Sequence, residues 1–249
     1  MERNKKEDPV KIQNLVLKSF ISTSVISFLV LGGCAKKPAA PPPPPPPPPV
    51  SIPAPKPALP VPLNTAASIT GKVVSAKAHG KGLSQILVFV EKGVSPKIKF
   101  HAPSTPVTLN IVKDMYQPAI FGVMTGQPIN VVNHDKKVSH KVEFLSKPKQ
   151  TFTIQGIKPG SPTPSKQVVF TKSGIIPIKC GTHPMMSALV GVFSNPYFAV
   201  TNKKGEFSLT DLPPGTLILE AVQQNGSKTI MKVKVGKKQT KKIILKFKG

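Results

Sequence analysis

Cys180-Gly181-Thr182-His183-Pro184-Met185-Met186 is the stretch from which the rest of the chain can be read. It sets a thiolate, an imidazole and a thioether at i, i+3 and i+6, within reach of one tight loop. Forty residues upstream stands His140, behind Asn133-His134-Asp135 and the apolar run Ile129 to Val132. One cysteine, two histidines and a methionine make the donor set of a copper electron-transfer site, three equatorial ligands and a weak axial thioether. The soft sulfur donors suit Cu(I) and the imidazoles keep Cu(II) acceptable, so a change of oxidation state needs little rearrangement. Taken singly, each residue has a plainer reading. A lone Cys is usually a small buried hydrophobe, Met185 and Met186 could fill a core, and His140 could sit at the surface. The four in this order, together with the address of the chain, favour a metal.

That address is written at the N-terminus. Arg3, Lys5, Lys6, Lys11 and Lys18 make a positive start, and Phe20 to Val30 is an apolar run too short to span a bilayer. Leu31-Gly32-Gly33-Cys34 follows and resembles a bacterial lipobox, which implies export, cleavage before Cys34 and lipidation of its sulfur. Ala35 rather than Asp comes next, as in the outer-membrane-directed class of Gram-negative lipoproteins. The expected location is therefore the periplasmic side of the cell envelope, anchored to the bilayer by lipid. If Cys34 carries lipid, Cys180 is the single thiol of the mature chain. An unpaired thiol in an oxidising compartment is a liability unless something occupies it, and a metal is the natural occupant.

The whole chain of 249 residues carries a net charge of +25. Five basic and three acidic side chains lie in the first 33 residues, which leaves +23 for the rest. Every basic residue after Arg3 is Lys. Recognition of base edges and phosphates leans on the planar Arg fork, so nucleic acid is not the expected partner. An acidic redox protein or an anionic envelope surface suits the charge better.

Residues 34–66 read as a lipidated Cys and a tether, with nine consecutive prolines from Pro41 to Pro49 and further prolines to Pro62. Such a run adopts polyproline II at about 3.1 Å per residue, so roughly 30 residues reach up to about 90 Å. From about residue 67 onward, short runs rich in Val, Ile and Phe alternate with Gly, Pro, Asn and Lys, which predicts an all-β fold. Strands are expected at 68–74, 85–90, 107–112, 127–133, 140–145, 166–171, 175–179 and 189–193. Five more follow at 197–201, 206–209, 216–223, 230–235 and 241–247, and a Pro/Gly/Ser loop is expected at 156–165. A dozen or so strands exceed one small sandwich, so two β domains are expected.

Residues 103–193 resemble a cupredoxin. The matching features are Tyr116-Gln117-Pro118, the strand Gly126 to Asp135, His140, the Ser173-Gly174 turn and Cys180 to Met186. The loop Cys-x₂-His-x₂-Met is similar to the short ligand loop of amicyanin-type cupredoxins. The resemblance implies a Greek-key β-sandwich with one type 1 copper, held by His140, Cys180 and His183 with Met186 rather than Met185 axial. It also implies that His183, beside Pro184 and Met185, is the electron port. Cupredoxins often place Asn after the first ligand His, tying the ligand loops together; here Lys141 stands in that place. His134, His79 and His101 read as surface or loop residues.

The flanks resemble a carboxypeptidase-regulatory-like, or transthyretin-like, β domain. Ile69 to Val73 with Ile86 to Val90 looks like its opening, and Phe198 to Leu219 like its middle, with a tight turn at Asn202 to Gly205 and a Pro213-Pro214-Gly215 turn. The expected organisation is a signal peptide at 1–33, lipidated Cys and linker at 34–66, and the first part of the flanking domain with its connection at 67–102. The cupredoxin at 103–193 is then inserted, and 194–249 completes the flanking sandwich. The expected function is one-electron transfer by a copper protein that is not an enzyme. Two alternatives stand beside it: copper handling as a chaperone, buffer or sensor, and a structural envelope protein with a vestigial site.

Overall fold

The computed structural model describes residues 65–77, 80–146, 150–160 and 167–248. The expected leader, Cys34, the tether as far as residue 64, His79 and residues 161–166 of the expected loop lie outside the described residues. The described chain is all-β. Its strands are β1 (Ala67–Ser75), β2 (Leu87–Lys92), β3 (Val107–Val112), β4 (Met115–Gln117), β5 (Ile120–Met124), β6 (Pro128–Asn133), β7 (His140–Ser146) and β8 (Gln150–Ile157). After them come β9 (Gln167–Val169), β10 (Gly174–Cys180), β11 (Ser187–Phe193), β12 (Phe198–Val200), β13 (Glu206–Leu212), β14 (Gly215–Val222), β15 (Lys228–Val235) and β16 (Thr240–Phe247).

Strands β3 to β11 make two sheets, in the orders β4-β3-β6-β9 and β5-β11-β10-β7-β8. Pairs β3/β6 and β5/β11 are parallel and the other pairs antiparallel, so the chain repeatedly crosses between sheets in Greek-key fashion. Period-two alternation packs the two faces together. Val142 and Phe144 of β7 and Ile176 and Ile178 of β10 point inward to Leu109, Ile111, Ile129 and Val131, all in one buried cluster.

The strands on either side of this segment form a second, smaller sandwich. Its sheets are β13-β1-β16 and β12-β2-β14-β15. Residues before 93 and after 197 therefore pair directly, β2 lying between β12 and β14 and β1 between β13 and β16. Chain exit and return lie side by side: Val90 N–H donates to the Tyr197 carbonyl at 2.9 Å, and the Asn195 amide to the Val90 carbonyl at 3.5 Å. In the Asn202–Gly205 turn, Gly205 N–H donates to the Asn202 carbonyl at 2.9 Å, with Gly205 at φ 80°. Strand β15 alternates, with Ile230, Lys232 and Lys234 exposed while Val233 and Val235 are buried.

A third apolar cluster joins the two sandwiches, with Leu87, Phe89 and Val222 from the flanking one and Ile120, Leu189 and Phe193 from the other. Phe193 stacks against Phe89 at 4.6 Å and Phe198 at 5.0 Å between ring centroids. Two glycines make this approach possible. Gly122 and Gly191 stand opposite each other across the β5/β11 pair. A Cβ on Gly122 would come within 2.4 Å of the Phe198 ring, and one on Gly191 within 2.4 Å of Phe193 and 2.5 Å of Leu87.

Strands β4, β5 and β8 were not expected. Strand β5, Ile-Phe-Gly-Val-Met, is buried on both faces and so has no alternation to read. The expected strand at 85–90 runs instead over Leu87–Lys92, and the expected loop at 156–165 begins inside β8.

Candidate metal centre

Alternation also aims the two innermost donors. His140 opens β7 on the same inward face as Val142 and Phe144, and Cys180 closes β10 in line with Ile176 and Ile178. The two strands are neighbours, with Cys180 opposite Val142, so both side chains enter the same end of the sandwich. Both are buried.

The loop after Cys180 folds back on its own backbone. Met186 N–H donates to the His183 carbonyl at 3.0 Å, and Cys180 N–H to the Met186 carbonyl at 3.3 Å. The turn places His183 half-buried above the thiol. It also separates two methionines adjacent in sequence: Met186 is 3 % exposed, in the same core cluster as Cys180, whereas Met185 is 94 % exposed. The second sandwich reaches the start of β11, just beyond this loop, where the Gln224 amide donates to the Ser187 carbonyl at 2.7 Å.

Cys180 Sγ lies 3.8 Å from His140 Nδ1 and 3.5 Å from His183 Nδ1. A first-row metal with bonds of about 2.0 Å to imidazole nitrogen and about 2.3 Å to thiolate, at roughly 110–120°, separates N from S by about 3.7 Å. The observed spacings fit such an ion. The donor set, one thiolate and two imidazoles with a buried thioether alongside, is the one copper electron-transfer sites use. Cys180 is free of any disulfide.

Polar neighbours prepare the thiol. Burial pushes the Cys180 thiol up, but hydrogen bonds, led by those from the Thr182 hydroxyl and amide, outweigh it and bring the thiol down to about 6. Thr182 Oγ1 lies 3.1 Å from both Cys180 Sγ and His183 Nδ1. On the other side Tyr116 is buried and its hydroxyl donates to the Lys179 carbonyl at 3.1 Å. Burial first, then the neighbouring Cys180 thiolate and Glu143, hold this phenol far above its ordinary range, so it stays protonated.

At Lys141 the backbone ties the two donor-bearing segments together. Lys141 accepts, through its carbonyl, from Gly181 N–H at 2.8 Å, joining the His140 strand to the Cys180 loop through backbone. Its ammonium pairs with Glu143 at 2.6 Å. His134 is indeed exposed, its ring 2.9 Å from Asn110 Oδ1. Asp135 was missed: its Oδ2 lies 3.0 Å from His140 Nε2. Apart from the His140–Cys180–His183 group, the one cluster of potential donors among the described residues is Asp114, Asp135 and His140. His101 is exposed and outside both.

No family model and no curated protein matches the chain. Among solved structures, the chain is similar to a copper-containing nitrite reductase from Thermus scotoductus SA-01 at 20 % identity and TM-score 0.34, over 42 % of this chain and 26 % of that one. It is also similar to pseudoazurin from Methylobacterium extorquens AM1, at 22 % identity and TM-score 0.31, over 36 % of this chain and 77 % of that one. An amicyanin variant in its reduced Cu(I) form aligns at 23 % identity and TM-score 0.28, over 35 % of this chain and 81 % of that one. The chain thus spans about a quarter of the nitrite reductase.

Proposed function

We propose that this is an exported, lipid-anchored, mononuclear type 1 copper protein that carries single electrons. The observation that carries the reading is the convergence of His140 Nδ1, Cys180 Sγ and His183 Nδ1 on one point, with Met186 buried beside them. Copper bound there would supply a one-electron Cu(II)/Cu(I) couple. The chain supplies the rest. The β7 and β10 strands fix His140 and Cys180 rigidly, which keeps reorganisation between the two states small. Tyr116, Met186 and the apolar inner faces of the sheets keep water from the thiolate. His183 reaches the surface beside exposed Pro184 and Met185, which makes its ring the route for the electron.

The cupredoxin segment is read as an insertion into a transthyretin-like sandwich, on the strength of β1 and β2 pairing with strands beyond residue 197. The leader and Cys34 support anchoring on the periplasmic side, and a lipidated Cys34 at the mature N-terminus, read by mass spectrometry, tests it. An acidic redox protein is the proposed partner. Voltammetry separates electron transfer from copper handling. A reversible one-electron wave with copper retained over many cycles is expected, and loss of copper to a competing Cu(I) chelator of ordinary cellular affinity would reject the carrier role.

A further inference from the structure

His140 has two ring nitrogens, and both are engaged. Nδ1 faces Cys180 Sγ at 3.8 Å, while Nε2 lies 3.0 Å from Asp135 Oδ2. Asp135 is itself held from three directions. Its Oδ1 accepts from Lys113 N–H, its Oδ2 accepts from Asp114 N–H at 3.1 Å, and its own N–H donates to Asn133 Oδ1 at 3.0 Å. Asn133 is fully buried, and its amide donates to the Val138 and Ile157 carbonyls at 2.8 and 3.1 Å. The Asp135 backbone carbonyl accepts from Gly160 N–H at 2.7 Å.

Lys113 and Asp114 are the two-residue loop of the β3/β4 hairpin, with φ of 52° and 55°. That is the type I′ geometry, which Asn-Gly adopts readily and side-chain-bearing residues adopt at a cost. The carboxylate bridging both turn amides offsets that cost. The same carboxylate then presents its Oδ2 to a ring that is wholly buried, where an N–H without a partner would carry the full cost of its lost hydration.

We infer that Asp135 is the positioning residue of the metal centre: it fixes buried His140 as the Nε2–H tautomer, so that Nδ1 is the nitrogen left to bind a metal beside Cys180 Sγ. The role assigned to His140 rests on the copper reading; the tautomer does not. A carboxylate behind a metal-bound imidazole makes that nitrogen a stronger donor, and removing such a partner typically lowers metal affinity 10–100-fold. An anion at this position also favours Cu(II) over Cu(I), which lowers the reduction potential. Asp114, exposed and 3.7 Å from Nε2, is too distant to hydrogen-bond and does not share the role.

The test uses Asp135→Asn in the full chain. Because that variant could also loosen the hairpin, it is repeated with Lys113→Asn and Asp114→Gly, which rebuild the turn as Asn-Gly without need of the carboxylate. Nitrogen-15 spectra of the His140 ring in the metal-free protein should give one Nε2–H tautomer in the parent and in Asp114→Asn. In both Asp135→Asn proteins the two ring shifts should move toward each other. Cu(II) affinity, from competition with a calibrated chelator, should fall 10–100-fold in both, and the midpoint potential should rise. If the Asn-Gly background restores the parent tautomer and affinity, Asp135 only braces the turn and the inference is wrong. If the parent binds Cu(II) without a thiolate charge-transfer band, the copper reading fails, while the metal-free tautomer still decides for or against Asp135.

Discussion

Gly191→Ala puts one methyl group into the seam between the two sandwiches, and its effect can be worked from the contacts. The new Cβ would stand 2.4 and 2.6 Å from two atoms of the Phe193 ring and 2.5 Å from a Leu87 methyl. Carbon atoms settle at about 3.5–4.0 Å, so these groups must retreat by about 1 Å. Phe193 has nowhere to go, since Phe89 and Phe198 press on it at 4.6 and 5.0 Å. Overpacking of this kind costs about 1–3 kcal/mol, which in a domain of this size lowers Tm by roughly 2–4 °C per kcal/mol. Gly174→Ala is the matched control. Nothing lies within 4 Å of its Cβ and its φ is not positive, so lost freedom in the unfolded chain should stabilise by about 0.4–1 kcal/mol. Thermal unfolding followed by circular dichroism should therefore move in opposite directions for the same chemical change. Equal Tm values for the two variants would refute the reasoning about the seam.

Met186→Leu should keep copper bound and raise the midpoint potential, while Met185→Leu, at the exposed position, should leave it unchanged; voltammetry of both decides. In the metal-free protein, thiolate absorbance should titrate near pH 6 rather than 9. The folded state then holds fewer protons than the unfolded chain between those values, so metal-free stability should rise with pH across that window and be lost as pH falls through about 6; urea melts at pH 5 and 8 check the sign. Changing Lys232, Lys234, Lys237 and Lys238 to Gln should slow electron exchange with an acidic partner at low salt and flatten the salt dependence, because exposed charges are screened beyond about 10 Å at 0.1 M. An unaltered rate and salt slope in stopped-flow would mean that these lysines only solvate a strand edge.

The parts of the fold legible in the sequence were those whose strands keep one wet face. Strand β15 alternates Lys with Val, and β10 alternates Ile with Pro and Lys, so their inward residues could be read directly. Strand β5 could not, because packing on both sides replaces alternation with an unbroken apolar run, and Gly122 in it reads as a breaker until Phe198 is seen lying over it. Strand β8 did carry a signal, Phe152 and Ile154 between polar residues, which the turn residues after it obscured. At the candidate metal centre, the side chains that converge could be picked out because thiolate, imidazole and thioether are scarce and their order is informative. Their support could not. Asp135 acts across a hairpin turn more than twenty residues away, and the tie through Lys141 is made by a carbonyl that every residue possesses. Those contacts are properties of the tertiary fold and leave no pattern of residue types.

Titration of the purified, metal-free protein with Cu(II), followed by optical and electron paramagnetic resonance spectra, tests the central claim most directly. The account predicts one copper per chain, an intense thiolate-to-copper charge-transfer band and a narrow parallel hyperfine splitting, all abolished by Cys180→Ser. A colourless complex, or a band that survives Cys180→Ser, would contradict it.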